Sequence, residues 1–198
     1  MTIITTCSGQ MLDLAGTDWQ DMAQAIKIKD IAHHLSLINR FAGATPTPYS
    51  VAQHSLLVVR LLEQAKADAV TCLWGLLHDA HEAYLGDIIT PAKQALFGAF
   101  TDVPTAFEEL SGFIDMALWR KLFPANNVRI DNQAVDQADA LALATEWRWL
   151  MEHTPPPAHF VAPANFRLKP MNWHEAEHKF LEKFEHLTAL CGIQTGVF

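Results

Sequence analysis

The sequence predicts an all-α fold, a helical bundle preceded by a small N-terminal β-hairpin. Three observations carry that expectation. Apolar residues recur at helical spacing along most of the 198 residues. Ser, Asp and Pro stand where such runs would begin as helices. Alternation of period two is confined to the first sixteen residues.

Each element follows in order. "TIITT" and "QMLDL" alternate around Ser8-Gly9, which predicts two short strands and a turn. Beyond residue 16 the spacing is helical. "IKDIAHHLSLINRF" (28–41) places Ile28, Ile31, Leu35 and Ile38 on one face, and "ATPTPYS" ends it. Ser50 is set to cap "VAQHSLLVVRLLEQA", and Asp68 to cap "AVTCLWGLLHD". Pro91 opens a further short helix, and "PTAFEELSGFIDMALWRKLF" reads as a long amphipathic one. "DNQAVDQADALALATEWRWLME" is another. "HTPPPAHFVAPANFRLKP" is a Pro-rich loop of about 18 residues, long enough to serve as a lid. Trp173–Leu190 closes the chain, with Phe180, Phe184 and Leu187 on its apolar side.

Composition narrows the classes. The length suits one domain over residues 1–198, and a half-hydrophobic, 18% charged chain can bury a sizeable core. No apolar stretch reaches the roughly 18 residues that cross a bilayer, so no membrane is expected. "MTIITTCSGQ" has neither a basic nor an apolar leader region. Cys7, Cys72 and Cys191 are odd in number and lack CxxC spacing, which predicts free thiols in a reducing cytoplasm. A net charge of −8 argues against long nucleic acid as partner, because that affinity comes from Lys and Arg on phosphates. A small phosphorylated substrate is compatible with it, since a metal ion and one or two cations supply local positive charge. Ten histidines direct attention to a metal site.

The chemistry concentrates in "GLLHDAHEAYLGD" (75–87). A core-facing helix there ends in His78 and Asp79, where neighbouring side chains reach one point most easily near a helix end. Asp is seldom buried unless paired or bound to metal. A His on the helix dipole beside a solvated Asp is the plainer alternative. His54, one turn into its helix among Leu56, Leu57, Val58 and Val59, is either a core histidine satisfied by a carbonyl or a ligand. Asp139 lies among Ala138, Ala140, Leu141 and Leu143 and needs a cation; Asp136, one turn earlier, competes with it. Two imidazoles and two carboxylates make a mixed N/O set, suited to one Mn, Co, Fe, Ni or Zn ion with positions left for water.

The order His54, His78-Asp79, Asp139, with "LLHDAHEAYLGDIITPAK" and "QADAL", resembles the HD superfamily of metal-dependent phosphohydrolases. Within it, the pattern from about Ile28 to Leu150 is most similar to the HD-domain 5′-deoxynucleotidases and phage-associated HD hydrolases. The resemblance implies that His54, His78, Asp79 and Asp139 bind one divalent metal. It implies that Glu82 and Asp87 act near the attacking water, and that Arg40 contacts the substrate phosphate. The chain departs from the phage-associated pattern at Gly43-Ala44-Thr45, where Gly-Gly-His is expected; this bears on the base or sugar pocket, not on the metal.

The residues agree with that chemistry. A bound divalent ion brings its water's pKa toward neutrality and neutralises phosphoryl charge. If the helix continues past His78, Glu82 lies on the same face and holds or deprotonates the water. Asp87 holds the water or protonates the leaving oxygen, roles that spacing does not divide. Arg40 suits a bidentate phosphate clamp, against the alternative of a surface cation at a helix end. Lys93 is a weaker phosphate candidate. His33 and His34 either line the same pocket or cap a helix, and His81 adjoins the site.

One motif competes. His174-Glu175-Ala176-Glu177-His178 is a literal H-E-x-x-H, the zinc-protease signature. It lacks a third ligand from another element and a substrate-binding strand, and reads as a solvated, mixed-charge helix face. The expected activity is therefore hydrolysis of phosphomonoesters, (deoxy)nucleoside 5′-monophosphates foremost. The alternatives are a nucleotide diester or triphosphate, or a nucleotide-binding module without turnover. The exposed helix faces leave room for a homodimer.

Overall fold

Residues 3–13 form the expected hairpin. Strand β1 (Ile3–Thr5) pairs antiparallel with β2 (Met11–Asp13), in the register Ile3–Asp13, Ile4–Leu12, Thr5–Met11. Gly9, with φ 80°, makes the turn that other residues enter only under strain. Leu12 points into the core, and buried Asp30 ties the turn down by accepting from Thr6 Oγ1, Ser8 N and Ser8 Oγ, each at 2.7 Å. In this computed structural model residues 2–99, 103–125 and 128–193 are described, and apart from the hairpin and one isolated bridge the regular structure is helical.

The helices are α1 (Trp19–Ala25), α2 (Ile28–Leu37), α3 (Val51–Gln64), α4 (Ala69–Leu77), α5 (Glu82–Leu85), α6 (Thr90–Ala99), α7 (Val103–Leu122), α8 (Asn132–Leu150) and α9 (Trp173–Leu190). Their starts follow the sequence: Ser50, Asp68, Asp131 and Asn172 each accept from the backbone N–H three residues on. Helix α3 is the hub. Its apolar residues are buried almost all round, and it packs against α2, α4, α8 and α9. Gly75 lets α4 come close to α3: a Cβ there would lie 2.3 Å from Leu62 Cδ1. Helix α9 lays Phe180, Phe184 and Leu187 on α2, α3 and α4, and α1 packs on α7.

Two helix ends differ from the expectation. Helix α2 stops at Leu37 rather than running to residue 41, and Ile38 is extended. A long-range pairing prevails there: Asn39 bridges Ser50, Arg40 N donates to Tyr49 O, and Val51 N donates to Ile38 O. Helix α4 likewise stops at Leu77. Residues 78–81 are a tight turn, with Ala80 N on Leu77 O and Glu82 N on Asp79 O, and α5 starts afresh at Glu82. The Pro-rich segment 153–170 has no regular structure and lies strapped across α8 and α3. Ala164 N donates to Thr145 Oγ1, Trp149 Nε1 to Phe166 O and Gln53 Nε2 to Lys169 O, while Gln53 Oε1 accepts from Met171 N. No helix among the described residues is long and apolar enough to cross a membrane.

Candidate functional site

Three elements meet at one point. Helix α3 brings His54, the turn after α4 brings His78 and Asp79, and α8 brings Asp139. His54 is 0% exposed. Its Nδ1 lies 2.7 Å from Glu146 Oε1; a carboxylate only accepts, so Nδ1 carries a proton and Nε2 is the nitrogen turned toward the site. His78 is fixed in the same tautomer, its Nδ1 donating to the Gly75 carbonyl at 2.9 Å. Both Nε2 atoms are buried without a hydrogen-bond partner, and so is Glu82 Oε2. Around them, His54 Nε2 is 3.0 Å from Asp139 Oδ1 and 3.6 Å from Asp79 Oδ2, and His78 Nε2 is 3.2 Å from Asp79 Oδ2.

These atoms are spaced as the donors around a single cation would be. Donor atoms at about 2.1 Å from one ion stand roughly 3 Å apart when adjacent in an octahedron. Imidazole lone pairs facing carboxylate oxygens have no reason to converge unless a proton or a metal lies between. His54, His78 and Asp139 each offer an atom within 4.8 Å of the others and are suited to hold a metal ion. Asp139 is half-buried and faces the site, whereas its competitor Asp136 is exposed; α8 also exposes Ala140, so its small apolar face is less buried than the sequence implies.

The electrostatics match. Burial works against charge on His54, as does Arg40, but Glu146 and Asp139 outweigh them and push the imidazole up to about 9. Burial likewise opposes charge on His78, yet Asp79 raises it to about 9. Burial disfavours ionised Asp79, but His78, His54 and Arg40 hold it well below the carboxylate range. Glu82, 5% exposed, is pushed up to about 9 by burial, then by Asp79 and Asp87. Asp87 is raised by burial too.

A cavity of about 390 Å³ opens beside this point. Asp79, Glu82, Asp87 and Asp139 line it with Arg40 and Lys93, so four carboxylates face two cations. Arg40 is not a surface charge on a helix end. Its Nε donates to Glu146 Oε2 at 3.2 Å, its Nη1 is 3.8 Å from Asp79 Oδ2, and these carboxylates outweigh burial to keep it charged. Directly after it, Phe41 (φ 57°) and Ala42 (φ 51°) sit in the left-handed region, a strained turn at the cavity's edge. Phe41, Trp147 and Phe160 form an edge-to-face row along the wall, with centroids 6.0 and 5.4 Å apart. Pro157, His159 and Phe160 come from the Pro-rich segment, so that segment is one wall of the cavity. Lys93 lines it as well, with Nζ 5.2 Å from the Phe107 ring centroid.

Apart from His159 in that wall, the other histidines lie outside this cavity. His33 pairs with Glu177 at 3.3 Å, and His34 donates to Ala83 O and accepts from Cys7 N, so neither lines this cavity. His81 pairs with Asp115 at 3.1 Å. In the H-E-x-x-H segment His174 stacks on Trp173, and exposed His178 lies 3.9 Å from Glu182 of its own helix. Glu146 escaped the sequence reading. It stands seven residues after Asp139, two turns along one face of α8, and a buried Glu at that spacing was the available signal.

Comparison with other proteins gives this site a family context. Over 195 residues the chain is 32% identical to the uncharacterized protein YfdR of Escherichia coli K12, covering 96% of this chain and 98% of that one. The chain belongs to the YfdR family. Within that whole-length relationship lie all the elements that build the site. A second relative, an uncharacterized protein of Rhodobacter capsulatus, is 42% identical over 101 residues, and the match spans about half of each chain (48% and 49%). No protein-family model matches the chain.

Proposed function

We propose that the protein is an HD-type, divalent-metal-dependent phosphohydrolase acting on phosphomonoesters, with (deoxy)nucleoside 5′-monophosphates as substrates. The observation that carries this reading is the pair of buried imidazole Nε2 atoms facing Asp79 and Asp139 at the mouth of a cavity that also holds Arg40. His54, His78, Asp79 and Asp139 would hold one Mn, Co, Fe, Ni or Zn ion. Such an ion supplies an ionised water near neutral pH and charge neutralisation on the phosphoryl oxygens.

The chain's own groups do the rest. Arg40, oriented by Glu146, turns its remaining guanidinium N–H groups toward the phosphoryl oxygens and fixes them in register. Glu82 and Asp87, side by side on the cavity wall, hold the attacking water, take its proton and return one to the leaving oxygen. The Phe41, Trp147 and Phe160 row offers ring edges and faces to a flat leaving group, and about 390 Å³ lies within the range of small-molecule sites. An aromatic base beyond a single phosphate fits that arrangement of cation at one end and rings at the other.

The test is metal analysis of the purified protein, followed by phosphate release from a panel of nucleoside 5′-mono-, di- and triphosphates and a diester with Mn²⁺, Co²⁺, Zn²⁺ and Mg²⁺. Metal-dependent release from monophosphates, abolished in His78→Ala and Asp79→Ala, is the expected result. Cleavage confined to the triphosphates or diester would move the substrate class. Bound metal with no release from any nucleotide would make the protein a binding module, and unchanged activity in His78→Ala would overturn the site.

A further inference from the structure

Resting on the metal and phosphate reading above, we infer that Glu146 is a positioning residue that couples the two halves of the site. It accepts from metal-ligand candidate His54 through one oxygen and from Arg40 through the other. The distances are 2.7 Å to His54 Nδ1 and 3.2 Å to Arg40 Nε. Glu146 is 0% exposed and His54 likewise, so water does not substitute for either bond.

The geometry assigns each oxygen a separate task. Oε1 fixes the His54 tautomer and ring angle, which leaves Nε2 toward Asp139 and Asp79. Oε2 holds Arg40 Nε, which sets the guanidinium plane while Nη1 approaches Asp79. A rotation of the carboxylate moves both partners together. Phosphate binding that draws Arg40 toward the cavity therefore reaches His54 through one rigid, planar group. Glutamine has the same shape but only one acceptor; its NH₂ would face either the His54 N–H or the Arg40 N–H, donor against donor. Aspartate keeps the charge but is one methylene shorter, and spans to one partner only.

Three measurements test this, with Zn²⁺ and inorganic phosphate as probes. In Zn²⁺-loaded wild-type protein the His54 Nδ1–H proton resonance, downfield because it is shared with a carboxylate, should shift when phosphate is titrated in; no shift overturns the coupling without any variant being made. In Glu146→Gln, folded by circular dichroism, Zn²⁺ affinity by calorimetry should fall about 10–100-fold and phosphate affinity of the loaded protein about tenfold. If that variant does not fold, Glu146→Ala, which removes both acceptor oxygens, carries the same comparison and the same expected double loss. A folded variant that keeps both affinities, or loses only one, shows that the carboxylate serves at most one half and overturns the inference. Wild-type protein that takes up no Zn²⁺ fails earlier, and refutes the metal reading itself.

Discussion

At the residue scale the candidate site depends on which protons are present. His54 and His78 both lie near 9 without metal, held there against burial by Glu146, Asp139 and Asp79. A metal must displace those protons, so affinity should rise as pH climbs from about 6.5 toward 9, with up to two protons released per ion. Calorimetry in buffers of different ionisation enthalpy measures that number; a pH-independent affinity with no release would contradict the ligand assignment. The metal-free protein should run the other way. Imidazoles raised above their unfolded value contribute stability that is complete below about 6.5 and lost as pH rises through 9. Glu82, protonated in the fold up to about 9 but ionised at 4.5 when unfolded, acts with the same sign. Melting in chelator should therefore fall between pH 6.5 and 9, and a flat or rising curve would sink the assignment. The four ligand candidates were legible because each is polar in, or directly after, an apolar helical run. Glu146 was not, because a carboxylate beside "EWRW" reads as surface until its partners from α3 and the segment after α2 are in place.

At the element scale the close contact of α3 and α4 sets the site. Gly75 faces Leu62 and Val58, and its own carbonyl fixes His78. Gly75→Ala gains about 1 kcal/mol of helix propensity, but it drives a methyl into a buried Leu62 that has no free space to yield. Overpacking of this kind costs about 1–3 kcal/mol and should win. The variant should melt lower by up to about 8 °C and bind metal more weakly, because α4 carries His78 away from His54. Unchanged melting and metal affinity would show that α4 is free to adjust. Helix starts were readable from Ser50 and Asp68 because capping is local. The ends of α2 and α4 were not, since the Asn39–Ser50 bridge and the turn at 78–81 are decided by contacts distant in sequence or by the site itself.

At the scale of the whole molecule, two candidate metal motifs occupy one chain, and the fold sets them apart. H-E-x-x-H is contiguous, yet α9 turns it to solvent while burying Phe180 and Phe184. The set around His54 is scattered over 86 positions of sequence and converges because α3 sits between α4 and α8. A ligand that joins three packed elements must stabilise them together. Saturation at about 100 times the dissociation constant adds about 2.7 kcal/mol. For a chain of this size that is roughly 5–10 °C in melting temperature. The shift should vanish in His54→Ala, compared with the same variant in chelator, because the remaining ligands no longer bridge α3. It should persist in full in His178→Ala. Differential scanning calorimetry of the three proteins with and without Zn²⁺ decides between the motifs: a shift lost in His178→Ala and kept in His54→Ala would place the ion on α9 and overturn the site proposed here.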